Sequence, residues 1–376
     1  MIKRTLNIFL KNRLFKGKAI IIVGPRQVGK TTLINEIKDL TNESTIFFNC
    51  DEPDIRRLLT DATSSSISQL IGNSKIVFID EAQRVKNIGL TLKLMTDNFK
   101  DKQFIITGSS ALELSNDVNE PLTGRKIEYL LLPLSTEELV NHHGALTERR
   151  LLHSRLIYGT YPDVVNNPSD AKLILSNLSS SYLYKDIFSF QDVRKPEVIE
   201  RLLEALALQI GSEVSYTELS QLVGIDYATL LRYIDLLEKT FVVFRLRAFS
   251  RNVRNELKKS RKIYFYDNGI RNAIISNFNN IDLRQDTGAL WENYLICERF
   301  KYLKFNELTG NRYFWRTKQQ QEIDYLEEND GNLSAFEFKW NSKRKIKFPL
   351  TFEKAYPNAI LKGINQENYL DFVTKY

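Results

Sequence analysis

The side chains of this 376-residue chain that could do chemistry fall into two groups, one near each end. In the first, Gly24, Pro25, Arg26, Gln27, Val28, Gly29, Lys30, Thr31 and Thr32 follow the apolar run Ala19-Ile20-Ile21-Ile22-Val23. This is the phosphate-loop pattern G-x-x-x-x-G-K-[ST], set between a strand and a helix. Its glycines let the backbone curl so that successive N–H groups point at a phosphate. The positive end of the next helix adds to the attraction. Lys30 is expected to reach the β- and γ-phosphates, and the Thr31 hydroxyl to hold Mg²⁺. The segment Lys75-Ile76-Val77-Phe78-Ile79-Asp80-Glu81 reads as a buried strand ending in two carboxylates. Asp80 is placed to serve the Mg²⁺ shell, and Glu81 to orient or deprotonate an attacking water. Thr107 or Ser109, after a third apolar run, would be the polar sensor between these acids and the γ-phosphate. Arg125, in Leu122-Thr123-Gly124-Arg125, offers a guanidinium for that phosphate from the same chain or a neighbouring copy. No N-K-x-D-type guanine reader is present, which favours ATP as the nucleotide.

The second group lies in the last hundred residues. Glu322-Ile323-Asp324-Tyr325-Leu326 and Ala335-Phe336-Glu337-Phe338-Lys339-Trp340 read as neighbouring strands. Glu337 and Lys339 alternate with aromatics, so both project from one face. Asp324 with Glu337 and Lys339 is the D…E-x-K spacing of metal-dependent nucleases. The two carboxylates would hold Mg²⁺, and the lysine would position a water nucleophile. Glu292, on an amphipathic helix spanning 288–300, would complete the metal shell.

These groups require elements to hold them. Apolar runs at 19–23, 45–49, 76–80, 103–107 and 127–131 alternate with helical stretches. That order predicts a three-layer α/β domain with a parallel sheet over 1–145. Ser135, with Glu138 three positions on, predicts a capped helix start. Residues 146–262 read as a helical region containing a helix-turn-helix: 214–224, a glycine turn, then 225–238. The strand-like 241–246 would open a wing. Residues 263–376 form the third expected domain. The exposed face of the second helix offers Tyr227, Thr229, Arg232 and Asp235, which is not strongly basic.

The net charge of +7 is unevenly spread. Residues 241–376 hold 24 Lys and Arg against 16 Asp and Glu, while the first 240 hold 29 against 30. Arg245, Arg247, Arg251, Arg254, Lys258, Lys259, Arg261 and Lys262 form a dense cluster suited to a polyanion. Within it, Arg251, Arg254, Lys258 and Lys259 are the candidate DNA contacts. The only two cysteines, Cys50 and Cys297, are far apart, and three histidines are too few for a dedicated zinc site. The N-terminus does not read as a secretory signal, and apolar runs are strand-length. A cytoplasmic protein without membrane contact is expected.

Taken together, GPRQVGKTT (24–32), VFIDEAQ (77–83), ITGSSA (106–111), LTGR (122–125), YPDVV (161–165), YIDLLEKTFVVFRL (233–246), KIYFYDNGI (262–270) and the WEN…EIDY…FEFKW series carry a resemblance. The chain resembles a prokaryotic family of AAA-type ATPases that join a P-loop domain to a C-terminal domain of unknown function, DUF4143. The resemblance implies an additional-strand, catalytic-glutamate P-loop core, a winged helix, and a C-terminal α/β domain of the restriction-endonuclease-like, PD-(D/E)xK type. It places the family's acids at Glu292, Asp324 and Glu337, with Lys339. It supplies no substrate. Three functions stand open: an Mg²⁺-dependent ATPase coupled to a DNA- or protein-interacting module, an ATP-regulated nuclease, and a non-cleaving binding switch. Partners would be DNA, a protein, or a second copy of the chain.

Overall fold

The computed structural model describes residues 1–109, 121–183, 187, 195–249 and 261–375. The expected DNA contacts Arg251, Arg254, Lys258 and Lys259 lie outside the described residues. The chain divides into two compact units, residues 1–132 with 239–241, and residues 133–238 with 242–376.

The first unit is built on five short strands: β1 (Ala19–Val23), β2 (Thr45–Asn49), β3 (Ile76–Asp80), β4 (Gln103–Gly108) and β5 (Lys126–Leu130). All pair in parallel, in the order β2-β3-β4-β1-β5. β1, β3 and β4 are buried along their whole length, which is why they read as continuous apolar runs. In a parallel sheet every strand ends at the same edge. β4 is inserted between β1 and β3, as the resemblance implies. The loop after β1 and the acids after β3 therefore flank the end of β4. Helix α1 (Lys30–Leu40) leaves the loop from Gly29, whose φ of 93° is in the left-handed region.

The second unit carries a seven-stranded mixed sheet. Its strands are β6 (Glu213–Val214), β7 (Val243–Ala248), β8 (Arg261–Phe265), β9 (Asn311–Arg316), β10 (Glu322–Asn329), β11 (Asn332–Phe338) and β12 (Ile360–Ile364). The order is β12-β11-β10-β9-β7-β8-β6. Arg247 and Ala248 pair in parallel with Tyr313 and Phe314. The sheet thus runs straight through residue 262, where the sequence suggests a domain boundary. Pairing with β9 covers an edge of β7 that a free-standing hairpin would leave open.

The helices of this unit that matter here are α2 (Thr136–His143), α3 (Pro196–Leu208), α4 (Tyr216–Val223), α5 (Tyr227–Lys239), α6 (Asn268–Ile274) and α7 (Thr287–Phe305). The capping box expected at Ser135 and Glu138 is formed in both directions. α4 stops at Gly224, with φ 77°. The 288–300 helix is not amphipathic in effect. Within α7, Trp291, Leu295 and Phe300 are buried, and so are the charged Glu298 and Lys301. They bond each other at 2.5 Å, and Lys301 Nζ also donates to the Leu134 carbonyl and the Thr160 hydroxyl. That pairing lets a helix with charges on several sides sit in the interior. A separate apolar cluster of Trp315, Ile323, Leu326, Ala335 and Phe352 fills the core around the β9–β11 strands.

Candidate nucleotide site and a second acid cluster

The phosphate loop is built by constraints from both ends. Gly24 passes so close to β5 that a Cβ there would lie 1.9 Å from the Leu131 carbonyl oxygen. Gln27 also adopts a left-handed φ, 60°. Arg4, a residue the sequence reading does not single out, is 6% exposed and braces the loop from below. Its guanidinium donates to the Val28 carbonyl at 2.7 Å and to the Leu132 carbonyl at 2.6 Å.

Lys30 is buried, and its Nζ donates to the Gly24 and Pro25 carbonyls, each at 2.9 Å. The ammonium thus lies across the loop that would hold phosphates. Thr31 Oγ1 donates to Asp80 Oδ2 at 2.8 Å. A hydroxyl and a carboxylate oxygen in contact are hard donors of the type Mg²⁺ takes. The other Asp80 oxygen accepts from the Thr107 hydroxyl. The residues present fit the metal: Thr31 and Asp80 would hold it.

Glu81 begins the turn after β3 with φ 53°. Its N–H donates to Thr107 Oγ1 at 3.2 Å. Its carboxylate accepts from Gln83 Nε2 at 2.5 Å, and the same amide nitrogen contacts Ser109 Oγ at 2.9 Å. Both candidates therefore enter the hydrogen-bond network of the acids. Thr107 orients Asp80, and Ser109 reaches Glu81 through Gln83. Gln83 was legible only as part of the VFIDEAQ block; its spacing two residues after Glu81 was the available signal.

Arg125 is elsewhere. It precedes β5, and its carbonyl accepts from the N–H of Ala19, the first residue of β1. The loop lies at the other end of β1, on the order of 15 Å away along the strand. Arg125 instead pairs with Asp97 at 2.6 Å. A role for Arg125 on the γ-phosphate of its own chain is excluded, because parallel pairing puts strand starts and strand ends at opposite edges.

In the second unit, Glu292, Asp324 and Lys339 line one pocket of about 420 Å³ together with Arg344. Glu337 joins them through Lys339, whose Nζ donates to its carboxylate at 3.1 Å. The expected constellation is assembled, with two lysines and a tyrosine set among its acids. Lys262, 1% exposed, contacts Glu292 Oε1 at 2.9 Å and also the Glu322 carboxylate. The Tyr264 hydroxyl donates to the same Glu292 oxygen at 2.6 Å. Asp324 Oδ2 accepts from the Phe338 N–H at 2.8 Å. Burial and the neighbouring Glu292 and Glu337 charges hold the Asp324 carboxyl well above the usual range. Burial opposes the charge on Lys262, yet Glu292, Glu322 and Asp324 outweigh it and raise that lysine. Among the described residues no group of three His, Cys, Asp or Glu side chains converges to hold a metal ion. Glu292 is thus held by Lys262 and Tyr264 and Glu337 by Lys339, while Asp324 accepts from a backbone N–H.

The other motif residues of this unit serve packing. Asp267 accepts from the Thr160 and Ile270 N–H groups and sits where a Cβ on Gly159 would fall, 2.0 Å away. Asn293 bonds the Phe265 N–H and carbonyl and Asn268. The basic cluster also divides. Lys262 is internal, and Arg245 is held by Asp235 at 2.6 Å and by Glu238. Arg247 is exposed. On α5, Arg232 donates to Thr229 at 3.0 Å, so the helix face is locally satisfied as well.

The parallel sheet, its phosphate loop and the paired acids give the first unit the architecture of a P-loop ATPase domain. Residues 16–140 match the AAA domain family. Residues 149–281 match a domain of unknown function, DUF8612, and residues 287–369 match another, DUF4143. An uncharacterized protein of Mycobacterium tuberculosis is 28% identical over 343 residues, 90% of this chain and 74% of that protein. An uncharacterized protein of Methanocaldococcus jannaschii is 24% identical over 384 residues, covering 89% and 80% of the two chains. Among solved structures, a Walker-type ATPase of Pyrococcus abyssi superposes with a TM-score of 0.51 at 16% identity, over 73% of this chain and 96% of that one. No described helix is long and apolar enough to cross a membrane.

Proposed function

We propose that the first unit binds ATP with Mg²⁺ and hydrolyses it, and that the second unit receives the resulting change. The observation that carries this reading is the meeting of Lys30, Thr31, Asp80 and Glu81 at one edge of the parallel sheet. Lys30 would exchange its two carbonyl contacts for phosphate oxygens. Thr31 and Asp80 would hold Mg²⁺, which neutralises charge on the β- and γ-phosphates when bound. Glu81 would accept the proton of the attacking water as its oxygen bonds the γ-phosphorus and the bond to the bridging oxygen breaks, releasing ADP. Gln83 and Ser109 fix the direction of that carboxylate. In purified protein, Glu81→Gln should keep ATP binding while turnover falls by about 10²–10⁴-fold. Unchanged turnover would remove Glu81 from the chemistry.

For the output we favour a non-cleaving contact with DNA or a protein. In chain order, α3, β6, α4, α5, β7 and β8, with β8 lying between β6 and β7, follow the arrangement of a winged helix. Salt-sensitive DNA retention, weakened by charge reversal at Arg251, Arg254, Lys258 and Lys259, would support the DNA branch. Retention insensitive to salt would argue against it. Mg²⁺- or Mn²⁺-dependent strand cleavage removed by Asp324→Ala would establish the nuclease reading instead.

A further inference from the structure

A pocket of about 260 Å³ opens in the second unit, lined by residues of β7, β9, β10 and α7. It shares no lining residue with the acid pocket around Asp324. Some of its polar groups are donors for which the described residues offer no hydrogen-bonded acceptor. The Arg312 guanidinium lies over the Phe300 ring, 4.3 Å from the centroid. Its Nη1 is buried and has no hydrogen-bond partner among the described residues. Tyr325 is 1% exposed, and its buried hydroxyl lies beside the Glu327 carboxylate without reaching hydrogen-bond geometry. Glu327, two residues along β10, is taken by both ends of the Arg299 guanidinium at 2.7 and 2.8 Å. Burial first, and the Glu327 charge second, hold the Tyr325 hydroxyl far above its ordinary range, so it is a proton donor near neutrality.

The lining is also net positive. Glu238, its acid, is spent on Arg245. Arg247 is exposed, lines the same pocket and has no side-chain ion pair or hydrogen bond among the described residues. A buried guanidinium edge without an acceptor is costly. Two guanidinia and a hydroxyl, all donors, call for an oxyanion. The volume is at the small end for ligand pockets, and Phe244, Phe300 and Tyr313 supply apolar walls. Guanidinium forks suit phosphate oxygens.

We propose that this pocket binds the phosphate group of a small ligand, either free phosphate or the phosphoryl end of a mononucleotide, through Arg312, Arg247 and Tyr325. The test uses the full chain carrying Lys30→Ala, so that the phosphate loop does not contribute. Inorganic phosphate and adenosine 5′-monophosphate are titrated separately by calorimetry. One saturable site is expected, weakened at least about tenfold by Arg312→Met and severalfold by the near-isosteric Tyr325→Phe. Tighter binding of the monophosphate would show that its nucleoside reaches the aromatic walls. Equal binding would identify free phosphate as the ligand. Absence of saturable binding for both probes overturns the proposal. So does binding that both variants leave unchanged, because Tyr325→Phe keeps the fold while removing the donor.

Discussion

The two acid clusters of this protein use similar residues in opposite ways. At the end of β3, Asp80 accepts from the hydroxyls of Thr31 and Thr107, and Glu81 from the Gln83 amide. These neutral donors orient the acids without cancelling their charge. Around Asp324, which itself accepts from a backbone N–H, lysines hold the neighbouring glutamates. Lys262 is enclosed by Glu292 and Glu322, and Lys339 holds Glu337. A site dressed with hydroxyls keeps its attraction for an incoming cation. A site that has enclosed ammonium groups of its own offers less of it. The difference teaches that an acid pattern alone does not identify a metal centre; the identity of its partners decides.

Replacing lysine should therefore have different consequences in the two places. Lys262→Met leaves the half-buried Glu292 and Glu322 facing each other without their shared cation, and should cost the second unit about 2–3 kcal/mol in denaturant unfolding. Unaltered stability would break the comparison. Lys30→Ala removes the two carbonyl contacts of its Nζ, leaves no buried acid uncompensated by them, and should abolish nucleotide binding. Mg·ATP at a hundred times its dissociation constant should stabilise the natural chain by about 2.7 kcal/mol and the variant not at all. A thermal shift retained in Lys30→Ala would place nucleotide binding elsewhere. Gln83→Ala should lower turnover roughly tenfold with ATP affinity unchanged, since it frees the Glu81 carboxylate without touching the loop. A loss of affinity instead would make Gln83 part of the binding site.

The smallest effect concerns an acid paired with a cation, Glu148. Burial pushes its carboxyl up, but Arg155, bonding it at 2.8 and 2.9 Å, and His143 outweigh this and lower it. A lowered folded-state value means stability that is fully present above the unfolded value and lost as pH falls through the folded one. Glu148→Gln should thus destabilise the protein at pH 7, with the difference from the natural chain shrinking below about pH 4.5. A difference that persists undiminished at pH 3 would show that packing, and not charge, accounts for it.

Much of the first site was legible in the sequence. The loop at 24–32 is contiguous, and its spacing fixes both the glycine conformations and the placement of Lys30 and Thr31. Asp80 and Glu81 were placed by the rule that buried parallel strands present their ends to ligands. Thr107 and Ser109 were offered as alternatives, and the insertion of β4 between β1 and β3 brings in both. Arg125 lies away from the loop of its own chain, leaving only the neighbouring-copy alternative, because its distance from Gly24 depends on strand direction and not on nearness in sequence. In the basic cluster, Arg245 and Lys262 look like neighbours of Arg247, yet β7 and β8 turn them toward acids from α5, α7 and β10.

The sequence by itself determined the phosphate loop, the strand-end acids and the capped start of α2, because each depends on residues a few positions apart. The tertiary structure alone decided what each charge meets. It sent Arg125 to Asp97, put Gln83 between Glu81 and Ser109, and enclosed Lys262 among Glu292 and Glu322. Local pattern fixes backbone geometry within a turn or a strand. The partner of a side chain is set by strand order and helix packing across tens to hundreds of residues, and at a few ångströms that partner determines whether an acid still attracts an incoming cation.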